Sequence, residues 1–179
     1  MDFRRLFIPG GTYFFTVVTY NRRPIFKEPN AINALEDAIA YTMQRHPFDI
    51  VAYVIMPDHL HYIWTLPPGD DKYSMRWRLI KSHLTRHWAK DMERSQNVSR
   101  AVKGEKDVWQ RRYWEHLIRN ENDLNQHIDY IHYNPVKHQY ADFPEQWINS
   151  SFNDFVINGY YPKEWGRNDS IWGGTAHME

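Results

Sequence analysis

The sequence predicts an α+β protein, a ferredoxin-like split βαβ sandwich with an antiparallel sheet and its helices on one face. Three observations predict it. Residues 12–20, 50–56 and 59–66 are runs of β-branched and aromatic residues; the stretches between and after them carry apolar residues at helical spacing; and the two middle runs are joined only by Pro57-Asp58, which suggests an antiparallel pair. The order β-α-β-β-α-β-α that results is that of a split βαβ unit. At 179 residues, with 42% hydrophobic and 25% charged, the chain is expected to form one domain, a core of about residues 10–141 and a C-terminal tail, 142–179, packed on it.

Each element has its own signal. Residues 12–20 (TYFFTVVTY) follow Gly10-Gly11 and stop at Asn21-Arg22-Arg23-Pro24, as a first strand should. From Asn30, a good helix cap, Ile32, Leu35, Ala38 and Ile39 recur as the stripe of an amphipathic helix that runs to His46-Pro47. The hairpin 50–56 and 59–66 is closed by Pro67-Pro68-Gly69-Asp70. A second helix follows, with Met75, Leu79, His83 or Leu84, and Trp88 on one side and Arg76, Lys81, Arg86 and Lys90 elsewhere. Residues 91–107 have almost no apolar content and read as a mobile loop. Residues 108–118 (VWQRRYWEHLI) read as a fourth strand. Asn122 or Asp123 caps a third helix whose buried stripe is Leu124, Ile128 and Ile131 and whose end falls near Asn134-Pro135. The tail, with Trp147, Phe152, Phe155, Tyr160, Tyr161 and Trp165, is too aromatic to stay unfolded.

Composition excludes several functions. No stretch approaches the ~18 consecutive apolar residues of a membrane span, and Met1-Asp2-Phe3-Arg4-Arg5 lacks the apolar run of a signal peptide, so a cytoplasmic location is expected. Without cysteine there is no disulfide, no thiol nucleophile and no thiolate metal site; a metal would need oxygen donors and some of the ten histidines. A net charge of 0 argues against a nucleic-acid binder until its distribution is read. Residues 72–119 hold 13 Lys/Arg against 5 Asp/Glu, and residues 1–27 hold 5 against 1. A basic face rich in aromatic residues is therefore possible, as is an ordinary solvated helix.

Two histidine pairs could grip a metal. His59-Leu60-His61 lies in a strand, where alternation puts both imidazoles on one side and Leu60 on the other; with Leu60 on the helices, the histidines take the open face. His83 and His87, spaced i, i+4 on a helix, are an equal rival. On the third helix Tyr130 points roughly 130° away from the apolar stripe, with Asn134 within about 40° of it one turn later, so Tyr130 is not expected in the core; Tyr133 is a rival on the same geometry.

The strings 54–64 (VIMPDHLHYIW), Trp114-Glu115-His116 and 127–138 (HIDYIHYNPVKH) resemble the REP-associated tyrosine transposases, a branch of the single-tyrosine HUH (His-hydrophobic-His) nuclease superfamily. The resemblance runs from about Gly10 to Trp165. It implies the sandwich fold, a divalent metal (Mg²⁺ or Mn²⁺) on His59 and His61, Tyr130 as nucleophile, and Asn134 where relatives carry a polar third ligand. It further implies cleavage and rejoining of single-stranded DNA beside palindromic hairpins through a 5′-phosphotyrosine, by a protein that works as a monomer at the nucleoid. Arg4, Arg5, Arg22, Arg23, Arg76, Arg78, Lys81, Arg111, Arg112 and Lys137 are the candidate DNA contacts, and Trp77, Trp109 and Tyr113 either stack on bases or pack in the core. The alternative is a hairpin-binding protein that kept the fold without the chemistry; a histidine-metal hydrolase acting through water leaves Tyr130 unexplained. The family usually reads Lys-His-Gly where this chain has Lys137-His138-Gln139; a glycine there would serve a left-handed helix-ending turn.

Overall fold

The structure is a computed structural model, described here for residues 6–93 and 95–167. Four strands, β1 (Thr12–Val18), β2 (Asp49–Ile55), β3 (His59–Thr65) and β4 (Trp114–Leu117), form one antiparallel sheet in the order β2-β3-β1-β4. Between and after them lie α1 (Pro29–Arg45), α2 (Tyr73–His87), the single turn α3 (Val98–Ala101), α4 (Glu121–Lys137) and the short α5 (Phe152–Ile157). This is the split βαβ sandwich expected from the pattern.

Strand alternation sorts the sheet into two faces. Val17 pairs with Leu60, Phe15 with Tyr62 and Tyr13 with Trp64; these side chains meet α1 and α2. Trp77 of α2 stacks on Trp64 with centroids 4.2 Å apart, an aromatic contact worth about 1 kcal/mol beyond its burial. The opposite face carries Phe14, Thr16, His59, His61 and Ile63.

That second face is not open. α4 lies across it, with Ile128, Tyr130 and Ile131 packed on Phe14, Val54 and Ile63. The helices are thus divided between the faces, α1 and α2 on one and α4 on the other. Tyr130 is fully buried, contrary to the reading that put it outside the core. The reason is that α4 is covered on two flanks, so its apolar stripe did not mark its only buried side. The sheet covers one flank. On the other, Phe152, Phe155 and Tyr161 surround the His132 ring at 4.7–5.7 Å. Segment 142–167 also lies along the edge of β2: Asn149 accepts the Ile55 N–H at 2.8 Å and Trp147 Nε1 donates to the Ile55 carbonyl at 3.0 Å.

Boundaries moved for identifiable reasons. Asn120, rather than Asn122 or Asp123, caps α4, its side chain accepting the Asp123 N–H at 2.9 Å. Pro135 sits inside α4 in its last turn, and the helix ends beyond it: the Tyr140 N–H reaches the Pro135 carbonyl and the Gln139 N–H the Val136 carbonyl, each at 2.9 Å, with Gln139 left-handed at φ 59°. The fourth strand is shorter than 108–118, because exposed Arg111 and Arg112 separate β4 from Val108-Trp109, which pair with the chain just after β1.

The polar stretch 91–107 is not simply a loose loop. α3 lies within it, and the buried Arg100 pairs with Asp107 at 2.9 Å while donating to the carbonyls of Lys106 and Trp109. A charged residue as the anchor leaves no trace in hydropathy. Among the described residues no helix is long and apolar enough to cross a membrane.

Candidate active site

β3 begins at the tight connection Pro57-Asp58, and that corner is pinned. The Asp58 carbonyl accepts both the Thr19 N–H, at 2.9 Å, and the Thr19 hydroxyl, at 2.8 Å. The Asp58 carboxylate faces His59 Nδ1 at 2.6 Å and exposed Arg22 at 3.3 Å. Burial pushes the Asp58 carboxyl up, but the bonds and charges of His59 and Arg22 outweigh it and the net displacement is downward. A carboxylate only accepts, so His59 Nδ1 carries the proton and Nε2 faces inward.

His61 is buried beside it, its ring stacked on Phe14. Nδ1 lies 2.9 Å from the Thr16 hydroxyl, and Nε2 has no hydrogen-bond partner among the described residues. Burial first, then the proximity of His59, His138 and Lys137, holds this imidazole well below its ordinary pKa, so it stays neutral.

α4 brings the rest. Asn134 is buried with Oδ1 3.4 Å from His59 Nε2, and its Nδ2 is unpartnered among the described residues. One turn earlier, the Tyr130 ring meets His61 edge to face at 5.2 Å and Phe14 at 5.9 Å, while Lys137 Nζ lies 5.1 Å from its centroid. The structure therefore brings His59, His61, Tyr130 and Asn134 to one place. The rivals lie elsewhere. His83 and His87 stack on each other and beside Tyr41, on the helix layer behind the sheet. Tyr133 faces the tail, 6.4 Å from Trp165.

Residues that the sequence reading did not single out join the site. The His138 ring is 5.3 Å from His59; its signal was its place in the 127–138 string. His116 of β4 and His127 of α4 stack at 4.6 Å around Asp123, and their ligand atoms lie within 4.8 Å of one another, so this group could bind a metal. As it stands it is a hydrogen-bonded cluster. Asp123 accepts from His116 Nε2 at 3.0 Å and from the Arg119 N–H at 3.0 Å, and His127 Nδ1 donates to the Asp123 carbonyl at 2.7 Å. Burial raises the Asp123 carboxyl, but these donors bring it below its usual value. The spacing i, i+4 between Asp123 and His127 was the available signal.

The candidate DNA contacts divide into four groups. Arg4 and Arg5 lie outside the described residues. Arg22 and Lys137 border the His59–Tyr130 site, and Arg23 donates to the Asp107 carbonyl at 3.2 Å. Arg78, Lys81 and Arg111 line a cleft on the α2 face, next to exposed Arg112. Arg76 is not a phosphate contact: it is 1% exposed, holds Asp70 with both terminal nitrogens at 2.8–3.0 Å and donates to the carbonyls of His46 and Pro47. Trp77 and Trp109 are buried in the core, because the α2 side of the sheet is built from aromatic layers; only Tyr113 keeps part of its surface.

The family model described as "Transposase IS200 like" matches residues 9–134, a span that starts just before β1 and ends on Asn134. A REP-associated tyrosine transposase of Escherichia coli strain K12 is 42% identical over 164 residues, 92% of this chain and 90% of the relative. A Haemophilus influenzae relative from the same group is also 42% identical, over 170 residues, 95% of this chain and 96% of its own. Among solved structures, a REP-associated tyrosine transposase bound to a REP hairpin superposes with a TM-score of 0.78 at 40% identity, covering 94% of each chain. The matched span contains the histidine pair of β3 together with the tyrosine and asparagine of α4, and on these grounds the chain belongs to the IS200-like transposases, in their REP-associated tyrosine branch.

Proposed function

We propose that this protein is a metal-dependent single-strand DNA endonuclease and strand transferase that acts beside palindromic hairpins through a 5′-phosphotyrosine on Tyr130. The observation that carries the reading is the meeting of His59, His61 and Asn134 beside that tyrosine. With its Nδ1–H on the Asp58 carboxylate, His59 keeps Nε2 as a lone pair; His61 offers Nε2 in the same way when Nδ1 donates to Thr16, and Asn134 adds its amide oxygen. Acceptors gathered in a buried place, with His61 Nε2 lacking a donor, fit a divalent cation, Mg²⁺ or Mn²⁺. Bound there, it would polarise the scissile phosphate and offset the charge that develops on it.

The chain's own residues account for the remaining chemistry. Tyr130 Oη forms a bond to phosphorus as the bond to the 3′ oxygen breaks; the phenolic proton leaves Tyr130 and a proton ends on the departing 3′-OH. That hydroxyl can attack another phosphotyrosine, which restores the phenol and joins two strands. A free phenol, with pKa ≈ 10, is only about one part in a thousand ionised at pH 7. Lys137 Nζ, 5.1 Å from the centroid of the Tyr130 ring, places positive charge beside the phenol. Because Tyr130 is fully buried, the incoming phosphate has to displace its cover, of which exposed Lys137 is part. We read the protein as a single-domain monomer that acts at the nucleoid, with the hairpin stem contacted by Arg22 and Arg23, with Arg78, Lys81, Arg111, Arg112 and Lys137 on phosphates of the DNA, and with Arg4 and Arg5 retained as candidates.

The experiment is to mix protein with Mn²⁺ and end-labelled single-stranded DNA bearing hairpins from beside its gene, then resolve the mixture on a denaturing gel. A labelled band at protein size that needs metal and vanishes in both Tyr130→Phe and His59→Ala supports the reading. The complete burial of Tyr130 also suits a protein that only binds hairpins, and binding without any linked band would favour that function. Cleavage without a linked band would point to water as nucleophile.

A further inference from the structure

We infer that the cleft between α2 and segment 95–111 binds phosphates of the unpaired strand beside the hairpin, on the face of the sheet opposite Tyr130; this rests on the DNA-transferase reading above. The cleft holds about 800 Å³, and its lining carries seven Lys/Arg against the single acid Glu105. Several of those cations are occupied. Arg100 is held by Asp107 and Glu105, Arg111 by Glu105, and Lys106 by the carbonyls of Ala89 and Lys90.

Lys81 donates to the Gln110 carbonyl at 2.9 Å, but the other three cations on the α2 side are different. Arg78 and Lys90 have no carboxylate partner among the described residues, and Arg86 bonds only the Ser82 hydroxyl, at 3.2 Å. Positive charge left uncompensated around a concave, partly apolar wall concentrates the field on whatever enters. Trp77 and Trp109, both in the lining, supply part of that apolar wall. The fitting occupant is anionic and rich in acceptor oxygens.

Size and position select a strand over a lone ion. Arg78 and Arg86 stand eight residues apart on α2, about 12 Å along the helix, so one phosphate cannot meet both. Tyr113 faces the cleft side of the sheet and Trp114, the next residue, faces α4. β4 is an edge strand of only four residues, so a strand leaving Tyr130 has a short way around that edge into the cleft.

The test compares two DNAs by fluorescence anisotropy across a salt series, a hairpin with a single-stranded extension of about 12 nucleotides and the same hairpin blunt. In the full chain, Arg78→Ala, Arg86→Ala and Lys90→Ala together should weaken binding of the extended DNA about tenfold and lower its salt slope by about 2, from three lost single-strand phosphate contacts. The blunt hairpin should change less than about twofold. All three residues are exposed, so an unchanged melting curve certifies the fold. An unchanged slope, equal losses on both DNAs, or competition by polyglutamate as strong as by the strand would each overturn the inference. Loss of the covalent band in wild type with the slope difference intact breaks the catalytic reading alone; a covalent band without the slope difference breaks this one alone.

Discussion

The rings of His61 and Tyr130 meet edge to face with their centroids 5.2 Å apart, which joins the strand-borne histidines to the helix-borne tyrosine. Phe14 of β1 backs both, stacked on His61 at 5.3 Å and edge-on to Tyr130 at 5.9 Å. The two residues therefore serve the core as well as the site, and variants have to be chosen to separate those roles.

Tyr130→Phe separates them. The ring still fills its place against Phe14 and His61, so stability in urea should change by less than about 1 kcal/mol. The oxygen proposed as the nucleophile is gone, so formation of the protein–DNA link should fall by about 10³-fold or more. Tyr130→Ala should instead lose about 3–5 kcal/mol, because it empties a fully buried volume. A link that persists in Tyr130→Phe would remove the tyrosine from the mechanism.

Asp58 acts on the proposed metal site through His59. Its carboxylate, 2.6 Å from Nδ1, sets the tautomer that leaves Nε2 as a lone pair. Asp58→Asn keeps the shape but lets the side-chain amide compete as a donor. Mn²⁺ affinity by calorimetry is expected to drop about 10–100-fold with the melting temperature little altered. Equal affinities in wild type and variant would show that His59 is oriented by its backbone alone.

His132 makes stability depend on pH. Burial depresses its pKa to about 3, below the 6.5 of an open chain. Between those values the unfolded state binds a proton that the folded state does not, so this contribution is complete above pH 6.5 and declines as pH falls toward 3, at about 1.4 kcal/mol per pH unit. Urea midpoints measured at pH 6.5 and 5 should differ by about 2 kcal/mol from this group, and His132→Gln should flatten that dependence. A variant with the wild-type slope would assign the acid sensitivity to other groups.

How much of this was legible in the sequence depends on the kind of signal. Strand alternation in residues 59–65 put His59 and His61 on one side and Leu60 on the other, and the fold kept that arrangement. The orientation of α4 was not legible. Periodicity locates a buried stripe but cannot tell that a helix is covered on two flanks, so Tyr130 read as outward-facing when it faces the sheet. Arg76, and the stretch 91–107 that Arg100 anchors, were misread for a related reason: a buried arginine looks like a surface one until its carboxylates and carbonyls are found. The cluster of His116, Asp123 and His127 joins β4 to α4, and nothing local in either segment declares the contact.

Gln139 stands at a position whose backbone asks for glycine. Its φ of 59° is left-handed, and the two hydrogen bonds from Gln139 and Tyr140 back to Val136 and Pro135 complete the turn that ends α4. A side chain in that conformation costs about 1–2 kcal/mol that glycine avoids, partly offset by glycine's greater freedom in the unfolded chain. Gln139→Gly should therefore raise stability by roughly 0.5–1 kcal/mol, seen as a melting temperature higher by about 1–4 °C. Because His138 precedes it and lies beside His59, the substitution also tests whether the turn sets the site: unchanged Mn²⁺ affinity is expected if α4 alone positions Asn134. A destabilised variant would mean that the Gln139 side chain holds the turn by contacts stronger than its backbone strain.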